Sequence, residues 1–185
     1  MIMKVFVGGS RKIVHLAPEV QNRLLNIIHS GGTFLVGDAS GADKSVQNFL
    51  LNNQYEDVII YYVGESLRNN VGNWKTQSVK CETKKKDFNF FACKDAAMSN
   101  DADYGFMLWD GISKGTINNA VNLLRGNKKV LMFFAKNRKF VSLREFDDLR
   151  AVLREVHFTT REKLIGELKI DELHDEMAQR GLVYS

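Results

Sequence analysis

The chain has 185 residues, enough for one domain with a proper core, and its 44% hydrophobic and 26% charged content is typical of a soluble globular protein. No apolar run reaches the roughly 20 residues needed to span a bilayer, and the first residues lack the layout of a signal peptide. The net charge is +4, and the two cysteines, Cys81 and Cys93, form neither a CxxC pair nor a disulfide framework, so we expect a cytoplasmic protein with unpaired cysteines.

The first predicted strand, residues 2–7, ends at a loop of two glycines, Gly8 and Gly9, followed by Ser10 and Arg11. Consecutive glycines permit either close approach to a ligand or a tight exit into the next element. The loop is not GxGxxG, so the dinucleotide fingerprint of the usual dehydrogenases is absent. Arg11 could bind a phosphate through two hydrogen bonds or could simply be solvated.

Pro18 predicts the start of a first helix, and Gly31 and Gly32 predict its end. A second strand, residues 33–36, then runs into another small-residue loop before a second helix. The candidate binding residues of this loop are Gly37, Asp38, Ser40, Gly41 and Asp43. Its two carboxylates have two possible roles: capping the helix, which is the ordinary one, or binding a ribose hydroxyl or a base.

A third strand, residues 57–63, is followed by an irregular stretch over residues 64–87. Trp74 lies in this stretch and could stack on a nucleobase or anchor the loop to the core; the sequence favours neither. The lysine run of residues 84–86 could attract nucleic acid, but a solvated loop is the more common role for such a run. A third helix is predicted over residues 88–99.

The most informative stretch begins with a fourth strand, residues 104–109, which is apolar along its whole length and therefore typical of a parallel sheet covered on both faces. A loop and a helix start follow. Their candidate binding residues are Asp110, Gly111, Ser113, Gly115 and Thr116. A helix N-terminus in this position offers unpaired backbone N–H groups at the positive end of a dipole, which suits a phosphate. An ordinary strand-to-helix connection without a ligand is the alternative for this loop alone.

With a fifth strand over residues 129–134, the pattern predicts an α/β protein with a Rossmann-like, doubly wound parallel sheet of about five strands. The predicted strand order is third, second, first, fourth, fifth, which reverses between the first and the fourth strand. The three glycine-containing loops after the first, second and fourth strands then converge at this switch point, which favours a binding site over three unrelated turns. We assign residues 1–135 to this domain.

Residues 136–185 are charge-balanced, and we predict a helical C-terminal extension that packs on the core or forms an oligomer contact. Two capping-box patterns, Ser142 to Glu145 and Thr159 to Glu162, predict two helix starts. Asp171 is a candidate cap for a third helix, which Gly181 would end.

Four short motifs occur in order: Gly9-Ser10-Arg11, Gly37 to Asp43, Trp74, and Trp109 to Thr116. With these motifs, residues 2–135 resemble the SLOG superfamily of Rossmann-like nucleotide-binding proteins, which includes DprA/Smf, the LONELY GUY phosphoribohydrolases and small stand-alone nucleotide sensors. The likeness is strongest to the stand-alone group. The resemblance implies a ligand-binding role for the motif residues and for Lys94, which stands where the family has an arginine.

The LONELY GUY enzymes use glutamates after the Gly-Thr pair, but this chain has Asn118 and Asn119 at those positions. An amide cannot act as a general base at neutral pH. We therefore expect a protein that binds a nucleotide or a nucleotide-derived ligand, as a sensor or regulatory protein. The alternative is a hydrolase or transferase acting on the N-glycosidic bond of a nucleoside or nucleotide, with Asp110 and Asp43, or Asp38, as catalytic carboxylates.

Other hypotheses are a DNA-binding module and a partner-regulated assembly module that uses the helical tail. The four histidines are too far apart for a local metal motif, so we predict no metal and no cofactor.

Overall fold

Seven strands and seven helices make up the regular part of the chain that the computed structural model describes, residues 2–83 and 85–183. The strands are β1 (Lys4–Gly9), β2 (Thr33–Gly37), β3 (Val58–Val63), β4 (Lys75–Val79), β5 (Tyr104–Trp109), β6 (Val130–Phe134) and β7 (Lys139–Leu143). The helices are α1 (Pro18–His29), α2 (Ala42–Asn52), α3 (Phe88–Asp101), α4 (Lys114–Arg125), α5 (Phe146–Leu153), α6 (Phe158–Leu168) and α7 (Ile170–Val183).

All seven strands belong to one sheet in the order β4-β3-β2-β1-β5-β6-β7. Neighbouring strands are parallel except β6 and β7, which are antiparallel. The five strands expected from the sequence are present in the predicted order, and the order reverses between β1 and β5. The predicted α/β fold is confirmed, with a sheet that is two strands wider than expected.

The central strand β5 shows why its sequence is apolar throughout. Phe106 and Leu108 belong to the hydrophobic cluster that includes α1 and α2, whereas Met107 and Trp109 belong to the cluster on the other face, with α3 to α7. All four side chains are fully buried. Because helices cover both faces of the sheet, successive side chains are buried alternately on opposite sides and no polar alternation is left.

The two edge strands were not predicted. β4 lies in the stretch expected to be irregular, and its first four residues are exposed and mostly polar. β7 lies at the start of the segment expected to be wholly helical. Each of the two pairs with only one neighbour, so neither needs the continuous apolar pattern of a central strand.

The C-terminal helices are present, but all three begin at residues other than predicted. The sheet takes up Ser142 in β7, so α5 begins later, with a capping box formed by Glu145 and Asp148. α6 is capped by His157 rather than by Thr159, whose backbone N–H donates to the His157 side chain. α7 begins at Ile170, so Asp171 lies in its first turn rather than at its cap, and the helix continues past the predicted stop at Gly181.

The segment after residue 135 is continuous with the main sheet and core. β7 pairs with β6, and the buried residues Leu149 and Leu164 share one hydrophobic cluster with Trp109. The predicted boundary between residues 135 and 136 therefore falls between two paired strands. Among the described residues, no helix has the length and apolar character that a membrane span requires.

The expectation of unpaired cysteines is wrong for this structure, because Cys81 and Cys93 form a disulfide with a Cα–Cα distance of 5.9 Å. Cys81 follows β4, and Cys93 lies in α3. The packing of α3 beside the sheet brings these positions together, which a spacing of 12 residues does not reveal. Lys84, the first residue of the lysine run, lies between them and outside the described residues.

Candidate functional site

A cleft of about 540 Å³ opens at the carboxyl ends of β1, β2 and β5, where the strand order reverses. Ser10 connects the three loops at this point. Its backbone N–H donates to Leu108 O (3.0 Å), its carbonyl accepts from Ala42 N–H (3.1 Å), and its hydroxyl donates to Asp110 Oδ2 (2.8 Å). The convergence of the three loops is thus a network of hydrogen bonds around one buried serine.

Two glycines permit this close approach. A Cβ on Gly9 would lie 2.7 Å from Leu108 Cβ and 3.0 Å from Ala42 Cβ. Gly41 has φ 76° and ψ −128°, a backbone conformation that L side chains rarely adopt, and a Cβ there would collide with the backbone of Arg11. The loops after β1 and β2 can therefore be in contact only because these positions lack side chains.

The N-terminus of α4 forms one side of the cleft. The first backbone bond of this helix runs from Ile117 N–H to Ser113 O (3.4 Å), so Gly115 and Thr116 have no intrahelical partner for their N–H groups. A Cβ on Gly115 would meet nothing within 4 Å. This helix end therefore presents donors beside open space.

Asp110 organises the loop that leads into α4. Its Oδ1 accepts the N–H groups of Ile112 (3.0 Å) and Ser113 (2.8 Å). Partial burial alone would raise the pKa of Asp110, but the hydrogen bonds from Ser113, Ser10 and Ile112 favour the carboxylate and lower the pKa. Asp110 is thus an ionised group at the edge of the cleft.

An ionic cluster lines the cleft, formed by the buried Asp43 and Lys94 and the half-buried Asp95. Lys94 Nζ lies 2.5 Å from Asp95 Oδ1. Lys94 Nζ and the Asp43 carboxylate also both lie against Gly37, where a Cβ would be 2.9 Å from Lys94 Nζ and would collide with Asp43 Oδ2. Burial alone would lower the pKa of Lys94, but the charges of Asp95 and Asp43 outweigh it and raise the pKa. Burial raises the pKa of Asp43 to about 6, despite the attraction of Lys94.

Asn119 completes this group from α4. With its amide oriented to satisfy both neighbours, the nitrogen donates to Gly115 O (3.1 Å) and Asp95 Oδ2 (3.3 Å). Asn119, one of the two amides that stand where the LONELY GUY enzymes have glutamates, therefore links the α4 N-terminus to the ionic cluster. In the described part of the chain, no group of three or more His, Cys, Asp or Glu residues could hold a metal ion.

The structure brings half of the predicted site residues into the cleft lining. These are Gly9, Ser10, Arg11, Asp43, Lys94, Asp110, Ser113 and Gly115. The others lie behind the lining or away from it: Gly8, Gly37, Asp38, Ser40, Gly41, Trp74, Gly111 and Thr116. Thr116 is 1% exposed and its hydroxyl lies 3.1 Å from Ser113 Oγ, whereas Ser40 is exposed to solvent.

Two predicted binding residues have structural partners instead of a place in the cleft lining. Trp74 is buried in the α1/α2 cluster and its Nε1 donates to Tyr55 O (3.0 Å), which is the anchoring role. Asp38 is fully buried and paired with Arg68. Neither Asp38 nor Asp43 caps α2 through its side chain.

Sequence reasoning missed several lining residues that come from other elements. Arg68 comes from the irregular stretch, and Phe91, Asp95 and Met98 come from α3. The predicted helix over residues 88–99 already placed three of them on one element. The resemblance pointed to this helix only through Lys94, and the residue pattern did not show that the helix crosses the switch point, because that depends on how α3 packs on the sheet.

In the protein without ligand, Asp43→Asn should raise the free energy of unfolding at pH 7.5 by about 3 kcal/mol. This is the free-energy equivalent of the rise in the Asp43 pKa from 3.8 to about 6. Because the folded-state pKa is raised, the folded protein binds more protons between these pH values and loses stability as the pH rises. The gain should therefore shrink on acidification and vanish below about pH 4. Urea unfolding from pH 3.5 to 8 measures it, with the exposed Glu65→Gln as control. A pH-independent difference would show that Asp43 titrates normally.

Comparison of the chain with protein-family models gave no match, and comparison with curated proteins gave none either.

Proposed function

We propose that this chain binds a nucleotide or nucleotide-derived ligand in the cleft, as a sensor or regulatory protein related to the SLOG superfamily. One observation carries the proposal: the unpaired N–H groups of the α4 N-terminus lie beside open space at Gly115, at the switch point where Ser10 and Arg11 also line the cleft. Such an arrangement suits a phosphate group.

The rest of the lining fits the remainder of a nucleotide. Carboxylate oxygens of Asp43 and Asp95 are acceptors for sugar hydroxyls or base amino groups. Phe91, Ala92 and Met98 provide apolar surface for a base.

The second candidate is cleavage or transfer at an N-glycosidic bond, and the two cleft carboxylates of unlike pKa favour it. The pKa of Asp43 is raised to about 6, so this group could protonate the departing base. Asp110, whose pKa is lowered, could stabilise the positive charge that develops at the sugar carbon or attack that carbon. Water or an acceptor base would complete the reaction. Asp38 is unsuited to either role because it is fully buried and paired.

Gly115→Glu should abolish nucleotide binding and leave the fold intact. The added carboxylate enters open space in the first turn of α4. The positive end of the helix dipole stabilises the carboxylate there, but the carboxylate repels a phosphate. A thermal-shift screen against nucleotides, nucleosides and NAD derivatives measures binding, with about 2.7 kcal/mol of stabilisation expected at 100 times the dissociation constant. Gly166→Glu is the matched control, because that glycine also meets nothing within 4 Å and lies in α6.

Chromatography of every hit distinguishes the two candidates. A ligand recovered intact supports a binding protein, whereas release of free base that Asp110→Asn abolishes supports the enzyme. Equal binding by wild type and Gly115→Glu would contradict the proposed phosphate position. No stabilisation by any nucleotide would overturn both candidates.

We also propose a cytoplasmic location and, through the C-terminal helices, a homo-oligomer. Thiol labelling in intact cells tests the first: in a reducing cytoplasm the Cys81–Cys93 disulfide should be found reduced, and a pair found oxidised would contradict this location. Light scattering of the purified chain tests the second.

A further inference from the structure

Arg68 is held in a fixed orientation at the cleft by a buried carboxylate. Its Nε donates to Asp38 Oδ2 (2.9 Å), its Nη2 pairs with Asp38 Oδ1, and its backbone N–H donates to Asp38 Oδ2 (3.1 Å). A guanidinium has five N–H donors, so three are left over from this pair. Arg68 lines the cleft, and its side chain remains 33% exposed.

The segment that carries Arg68 is itself fixed by side-chain hydrogen bonds. Asn69 Nδ2 donates to Asp38 O (2.8 Å). Gln47, which is fully buried in α2, donates to Gly37 O (2.9 Å) and accepts Val71 N–H (3.1 Å). The bonds of Asn69 and Val71, together with those between Arg68 and Asp38, therefore hold this segment against α2 and the loop after β2, and Arg68 does not need to be ordered by a ligand.

Arg68 shares one aromatic neighbour with Arg11. Their guanidinium carbons lie 4.7 Å and 5.4 Å from the centroid of the Phe91 ring, which belongs to α3. The two guanidinium carbons are therefore at most about 10 Å apart, so two linked anionic groups of one ligand can contact both arginines. Arg11 lies directly after Ser10 and Gly9, beside the proposed phosphate position, and Arg68 adds a second cation farther along the same cleft.

The acids of the cleft are largely engaged with other groups. Behind the lining, Asp38 is paired with Arg68. In the lining, Asp95 is paired with Lys94, Asp87 caps α3, and Asp110 accepts from Ser10 and two backbone N–H groups. Asp43 has a raised pKa and borders Lys94. Each of these acids thus has a hydrogen-bonding or charged partner of its own, and the three remaining N–H donors of Arg68 can serve a bound anion.

We propose that Arg68 is a second anion-binding residue of this cleft and that the ligand carries a diphosphate, which reaches from the α4 N-terminus and Arg11 to Arg68. This inference rests on the proposed nucleotide binding and narrows it from nucleotides in general to those with two linked phosphates. Asp38 is a positioning residue in this scheme, because it holds the arginine without facing the ligand.

The test compares orthophosphate with pyrophosphate, and nucleoside 5′-monophosphates with 5′-diphosphates of all four common bases, by titration calorimetry. Arg68→Ala alone would leave Asp38 buried without a counterion, so the informative variant is Arg68→Gln with Asp38→Asn, which removes both charges together. Arg23→Ala, an exposed arginine of α1 that does not line the cleft, is the control. Unfolding without ligand verifies that each variant folds.

We expect the wild type and Arg23→Ala to bind diphosphates about 10- to 100-fold more tightly than monophosphates, the range for a charge-assisted hydrogen bond. In Arg68→Gln/Asp38→Asn the two affinities should become nearly equal, with monophosphate binding retained. A preference that persists in the double variant, or no preference in the wild type, overturns the inference but leaves nucleotide binding standing. Failure of the wild type to bind any probe overturns the proposed function itself.

Discussion

At pH 7.5, Lys94→Met should lower the free energy of unfolding by about 3–5 kcal/mol, the range for removing one partner of a buried ion pair. Lys94 is 4% exposed and is the cation that compensates Asp43 and Asp95. Methionine has a similar length but no charge, so two carboxylates would remain in a buried environment without a counterion. Urea unfolding measures the loss, with the exposed Lys44→Met in α2 as the matched control.

The pH dependence of the stability loss in Lys94→Met shows whether the loss comes from uncompensated charge or from lost packing. Without Lys94 the pKa of Asp43, already raised to about 6 by burial, should rise further, because Lys94 is the charge that holds it down. Protonation of Asp43 then relieves the penalty, so the loss should be largest above pH 7 and should decrease on acidification. Asp43→Asn in the same chain should restore part of the stability at pH 7.5. A loss that is equal at pH 5 and pH 8 would instead indicate lost packing.

The second large effect is expected at Gly41, where alanine should destabilise the chain by more than about 3 kcal/mol. The left-handed backbone conformation alone costs roughly 1–3 kcal/mol for a non-glycine residue. The new Cβ would also collide with the Arg11 backbone, which cannot move without breaking the Ser10 hydrogen bonds. If the protein still folds, the loop after β1 must shift, and nucleotide binding should fall together with stability.

Gly166→Ala provides a control of opposite sign. Gly166 lies in α6 with nothing within 4 Å of an added Cβ, so alanine there should stabilise the helix by about 0.5–1 kcal/mol. Differential scanning calorimetry of both variants measures the contrast. Similar melting temperatures for the two would contradict the close contact between the loops after β1 and β2.

The parts of the fold that could be predicted are those whose residue pattern is compatible with only one position in the structure. A strand such as β5, apolar on both faces, fits only a covered position in a sheet, so the central strands and their order followed from the sequence. β4 has the sequence KTQSV, which carries no such signal, because an edge strand needs only backbone pairing on one side.

The residues of the candidate site likewise fall into those that the sequence could predict and those that it could not. Loops that directly follow parallel strands must meet at one edge, so Ser10 and Asp110 could be placed together from the sequence. Arg68, Phe91 and Asp95 reach the cleft through the packing of α3 and of the segment after β3, which has no local sequence signature. Trp74 shows the converse, because a solitary aromatic residue in an irregular stretch proved to be a core residue.

The two edges of the sheet also limit how copies of this chain could associate. β4 and β7 each have five residues and begin with a lysine, Lys75 and Lys139. The outer backbone groups of an edge strand are a template for pairing with another chain, and short strands with lysines oppose such pairing. We therefore expect the sheet to end at these strands rather than to continue from one molecule into the next. Any assembly of this protein should then use its helices or loops, and its folded form should resist growth into cross-β fibres.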